Sequence, residues 1–189
     1  MFGGAWSFNQ DIGDWNTSSV TDMAYMFQGN TSIGDSGRHK FNQPIGGWDV
    51  GKVTNMELMF NEQSVFNQDI SNWNVSKVIT MDHMFANAEA FNQDIGNWDV
   101  SNVEDMGGMF WENKYFNKSI ENWNVSNVMS MVAMFSSASA FNQDISNWDV
   151  SNVKDMSTMF MGASTFNQNI GGWDVSNTSD FYMMFKDAT

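Results

Sequence analysis

The chain has 189 residues, with 22 acidic and 8 basic side chains and a net charge of −14. That balance argues against nucleic acid, which is held by Lys and Arg on phosphate, and against an anionic membrane surface; it favours solubility and attraction for cations. Hydrophobic residues make up 42%, Cys is absent, and no apolar run reaches the ~18 residues of a membrane span, so a core is expected without disulfides, thiolate metal sites or membrane insertion.

A Phe-Asn pair first occurs at Phe8 and recurs at Phe41, Phe66, Phe91, Phe116, Phe141 and Phe166, the last six 25 residues apart. A Met-Phe pair runs in parallel from 1–2 to 184–185, with one interval of 33. The extra residues fall within 28–40, where Gly29, Gly34 and Gly37 predict a loop insertion bulging from one coil. A fixed period of this length means stacked coils, none able to bury its apolar face alone. Residues 1–189 therefore read as a single solenoid domain of about seven repeats.

Residues 66–90 show the expected elements in order. Trp73 and Val75 are two apart, as on one face of a strand, with Asn72 and Asn74 on the other. Ser76 suits a helix N-cap, and Val78, Met81, Met84, Phe85 and Ala88 carry the spacing of one helix face. Ser101 and Glu104 have capping-box spacing in the next copy. Each coil reads as strand, turn, short helix and return loop, giving an α/β solenoid with a parallel sheet on one face.

The runs Phe91-Asn92-Gln93-Asp94-Ile95 and Asn97-Trp98-Asp99-Val100-Ser101-Asn102-Val103, with Asp105-Met106 and Met109-Phe110, carry a resemblance. The unit resembles the BspA-like leucine-rich repeat, the bacterial surface protein repeat also called DUF285. The resemblance omits only the loop at 28–40. It implies a leucine-rich-repeat-like, right-handed stack at a cell surface or in secretion. It also implies adhesion or protein interaction, with no uniform ligand.

Trp15, Trp48, Trp73, Trp98, Trp123, Trp148 and Trp173 share one repeat position, which reads as core. Trp111 breaks register and is the candidate for an exposed contact. The Phe-Asn asparagines, such as Asn67 and Asn92, read as turn-bonding amides. Asn16, Asp49, Asn74, Asp99, Asn124, Asp149 and Asp174 form a file along the strand face, in which Asp and Asn mostly alternate and like-charge repulsion is reduced. From Asp49 to Asp174 this file is the candidate partner-binding strip. A second file places Asp69 beside Asp94, and Asp149 is beside Asp174. These four are the candidates for weak calcium binding, although no EF-hand loop is present. His39 lies in the insertion and His83 on the expected helix, without zinc-motif spacing, and no nucleophile elbow or phosphate loop appears. No catalytic residue or cofactor is assigned, and the chain does not read as an enzyme. Asn30 is the sequon most accessible to glycosylation.

The expected function is a non-enzymatic, extracellular or cell-surface module that binds a protein or glycan through its polar acidic strand face. Alternatives are a structural spacer, a unit of an end-to-end filament, or a weak periodic binder of calcium or mineral. Because Met1-Phe2 and Met184-Phe185 lie within the repeat pattern, the end coils are expected to meet flanking repeats, a cap or another subunit.

Overall fold

The computed structural model describes residues 1–29 and 39–188. The chain forms a stack in which each position meets its equivalent one repeat later. Ring centroids of Phe60 and Phe85 are 5.6 Å apart, those of Phe66 and Phe91 6.1 Å, and those of Trp73 and Trp98 6.5 Å. Within a coil the two phenylalanines also stack, Phe60 on Phe66 at 4.0 Å and Phe85 on Phe91 at 3.9 Å. These aromatic columns form the centre of the core, and the Ile, Val and Met side chains at the repeat positions of each inner coil, such as Ile70, Val75, Val78, Met81 and Met84, are buried around them.

The tryptophans from Trp48 to Trp148 are buried at the repeat position. Each indole N–H finds an acceptor in the preceding coil, as a buried Trp requires. Trp98 Nε1 donates to the Ile70 carbonyl at 3.2 Å, and Trp123 Nε1 to the Ile95 carbonyl at 3.0 Å. The Trp face is therefore joined between coils by side chain as well as by packing.

The expected helices do not form. Residues 81–88 run instead as overlapping β-turns, closed by N–H bonds from Met84 to Met81, Ala86 to His83 and Ala88 to Phe85. φ is +53° at His83 and +55° at Asn87, each the third residue of its turn, where a type II turn requires a left-handed conformation. An α-helix keeps φ negative and turns its N–H groups along its own axis. Here the N–H groups of Met81, His83, Phe85 and Asn87 point to the next coil. They meet the carbonyls of Asp105, Gly107, Met109 and Trp111 at 2.7 to 3.0 Å. The helical spacing identified the buried residues Met81, Met84, Phe85 and Ala88, but a chain of turns delivers that same burial.

The expected parallel sheet is reduced to one bridge per coil. Its line runs through Asp22, Asn55, Thr80, Asp105, Ser130, Asp155 and Asp180, not through Trp73–Val75. There, turns from Ile70 to Trp73 and from Val75 to Val78 consume the N–H groups of Trp73 and Val78. The side-chain alternation still holds: Trp73 and Val75 are buried while Asn72 and Asn74 are exposed. Among the described residues no helix is long and apolar enough to cross a membrane.

Gly34, Gly37 and most of the insertion lie outside the described residues. Beyond it the stack resumes, with Phe27 on Phe41 at 3.9 Å. His39 returns buried against Gly29, where a Cβ would stand 2.3 Å from Glu62 Cβ and 2.7 Å from His39 Cδ2. Only glycine fits that approach.

Replacing Trp98 by Ala should destabilise the fold by about 3–5 kcal/mol, as large aromatic truncations do. Trp98→Phe keeps a ring but loses the indole bond to the Ile70 carbonyl, which still accepts the Trp73 N–H, for about 0.5–1.5 kcal/mol. Trp111→Ala should cost clearly less, because Trp111 is only half-buried. Urea denaturation of the three variants checks the order; equal losses for Trp98→Ala and Trp111→Ala would contradict it.

Candidate functional site

Asp49, Asn74, Asp99, Asn124, Asp149 and Asp174 are all exposed and occupy one place in successive coils. Each uses Oδ1 to accept the backbone N–H two residues on, that of Gly51, Ser76, Ser101, Ser126, Ser151 or Ser176. This is an Asx turn, in which the side chain replaces a backbone carbonyl. The Ser101 hydroxyl adds a bond to Asp99 Oδ1 at 2.6 Å, and Ser76 does the same to Asn74 at 2.7 Å. One oxygen of each residue is thus committed to the turn, which is why Asp and Asn interchange.

The same device recurs twice more in the coil. Asp69, Asp94 and Asp144 cap the N–H groups of Ser71, Gly96 and Ser146. Asp22, Asn55, Asp105 and Asp155 cap those of Ala24, Glu57, Gly107 and Ser157. The Phe-Asn asparagines do a different job. Asn67 Oδ1 accepts the N–H of Asn92, and Asn92 Oδ1 that of Asn117, at 2.9 and 3.0 Å. They form a continuous amide ladder between coils.

Hydrogen bonds from Ser71, Ser101, Ser146 and Ser151 hold Asp69, Asp99, Asp144 and Asp149 below the usual carboxylate range. Asp174 is lowered in the same way, chiefly by the Ser176 N–H. The charge on Asp174 pushes Asp149 slightly upward against that trend, so the two neighbours do sense each other. Calcium takes six to eight oxygens, far more than such a pair offers. Among the described residues no three acidic or histidine side chains converge as a metal site.

Trp111 lies half-buried, edge-on to the His83 ring at 6.0 Å. His83 Nδ1 is 2.9 Å from the Asp82 carboxylate, whose hydrogen bond raises the imidazole pKa while burial opposes it. Asn30, the glycosylation candidate, lies outside the described residues.

A groove not anticipated from the sequence lies across the Val100–Val103 turn from the Asp file. One wall is a column of Asn102, Asn127 and Asn152, each donating Nδ2 to the carbonyl of Ser76, Ser101 or Ser126 at 2.7 Å. The other is a column of Ile79, Glu104, Met129 and Lys154, all exposed. Together they enclose about 360 Å³. The Asn column has a sequence signal, Ser-Asn-Val at 101–103, 126–128 and 151–153. The facing column varies in chemistry and has none.

Carboxylates whose folded pKa is lowered stabilise the fold fully above their unfolded value of about 3.9, and that contribution is lost as pH falls through the lower folded value. Thermal melts between neutral pH and about pH 2 should therefore show an acid decline. A variant with Asp99→Asn, Asp149→Asn and Asp174→Asn retains the caps and should decline less steeply. An unchanged slope would assign the acid loss to other groups.

No curated protein and no solved structure matches this chain. One family does, described as Mycoplasma protein of unknown function, DUF285. It matches three overlapping stretches, residues 1–94, 35–133 and 92–189. Those stretches follow one another through the same aromatic columns and turn caps, and the chain belongs to the DUF285 family along its whole length.

Proposed function

We propose that the chain is a non-enzymatic interaction module, displayed outside the cell or on its surface, that binds a protein or glycan partner along its Asp/Asn file. The carrying observation is the exposure of Asp49, Asn74, Asp99, Asn124, Asp149 and Asp174 at one repeated position, each fixed by its own turn. Fixed side chains lose little freedom on binding, and similar contacts on successive coils add by multivalency. The free carboxylate oxygens favour a partner with cationic groups. Carboxylates repeated along an array suit binding better than catalysis, which uses a single assembled site. The period and the single parallel bridge per coil also support reading the stack as leucine-rich-repeat-like.

The test is a screen of surface-protein ectodomains and glycans, repeated with the Asp99→Asn, Asp149→Asn, Asp174→Asn variant. Exposed charges contribute up to about fivefold each, so the variant should bind the partner more weakly and with a smaller salt dependence. Unchanged affinity in a folded variant would remove the file from the binding surface.

A further inference from the structure

The groove beside the Asn column has features that the Asp file does not. Beneath it the main chain is already paired: Glu104 N–H bonds Ile79 O, Met129 N–H bonds Glu104 O, and Lys154 N–H bonds Met129 O. An occupant cannot add itself to the backbone and must be recognised by side chains. Asn102, Asn127 and Asn152 provide them. Each spends one N–H on the carbonyl that fixes it, leaving a second N–H and the amide oxygen available. Opposite stands an alternation of apolar, acidic, apolar and basic groups, Ile79, Glu104, Met129 and Lys154.

A row of groups that both donate and accept suits a ligand with free amides. A helix satisfies its own amides internally, whereas an extended chain presents them. The opposite charges of Glu104 and Lys154 would go unused by a neutral glycan, and the protein's net charge of −14 disfavours an anionic polymer. We propose that this groove binds an extended peptide segment of a partner protein, in which every second side chain, on the face turned to this column, alternates apolar and charged and includes both signs. Apolar side chains lie against Ile79 and Met129, a cationic one against Glu104 and an anionic one against Lys154. This surface is separate from the Asp file and stands or falls independently of it.

The column suits substitution, because its equivalents Thr54, Ile79, Glu104, Met129, Lys154 and Ser179 differ freely in an unchanged backbone frame. The probes are short blocked peptides in which every second residue runs valine, charge, valine, charge, with serine between: mixed Lys and Glu, all Lys, and all Glu. Titration by fluorescence anisotropy should rank the mixed peptide first on the parent protein. Glu104→Lys should shift the preference to the all-Glu peptide, and Lys154→Glu to the all-Lys peptide, each by roughly tenfold as an attraction becomes a repulsion. Asn127→Leu should weaken all three peptides together. Melting temperatures near the parent's would show that the variants fold. The inference is overturned by no binding at millimolar peptide. It is equally overturned by binding indifferent to both charge reversals, or by a neutral oligosaccharide competing as well as the mixed peptide. Binding that is lost in the Asp99→Asn, Asp149→Asn, Asp174→Asn variant but intact in the groove variants would assign the peptide to the other face.

Discussion

The stack depends on how the Met-Phe segment divides its backbone amides. In residues 81–88 alternate N–H groups close local turns, and the ones between reach the next coil. This arrangement puts His83 and Asn87 at positive φ, a strain of about 1–3 kcal/mol at non-glycine residues. Leu58 and Glu62, and Ala133 and Ser137, carry the same strain in other coils. The inter-coil bonds offset it, because an amide buried beside the phenylalanine columns without a partner would be costly. A lone coil has the strain and lacks the bonds. Each coil is therefore stable only between neighbours, so stability is shared along the stack of repeats.

The acidic composition follows from the same architecture. Every tight turn needs an acceptor for a stray N–H, and a short Asx side chain at the right offset supplies it. Asp serves at Asp99 and Asp149, Asn at Asn74 and Asn124, with the same geometry. Much of the negative charge is therefore an outcome of turn capping. What remains for recognition is the second oxygen of each cap and the side chains that cap nothing.

The core was legible in the sequence because burial repeats. Phe66, Ile70, Trp73, Met81 and Phe85 recur at fixed offsets, and all are buried. The backbone was less legible, since periodicity reports which side chains face inward and not where N–H groups point. Spacings of three and four arise from a helix and from linked turns alike. Positive φ at His83 leaves no trace in residue type; glycine takes that place only at Gly108, where a Cβ would collide with the His83 ring. The Asx turns did have a signature, in Asp94-x-Gly96 and Asp99-x-Ser101, yet the alternation of Asp and Asn invites an electrostatic reading first. Asp49, Asn74, Asp99, Asn124, Asp149 and Asp174 are each exposed at the repeated position. The groove could not be read because one wall has no repeated chemistry.

That lack of repetition is itself informative about where specificity can reside. The positions that repeat have structural work: phenylalanines stack, indoles bond Ile carbonyls, amides ladder, and carboxylates cap. A ligand that touched only these would meet the same chemistry at every coil and could slide by one repeat. The column of Thr54, Ile79, Glu104, Met129, Lys154 and Ser179 differs at each step, while its backbone is held by the same bond each time. A ligand in contact with it has one best register. A slip of one coil would set an apolar group against Glu104 or Lys154 and a charge against Met129. Affinity can come from the repeated surface, but register and direction have to come from the column that varies.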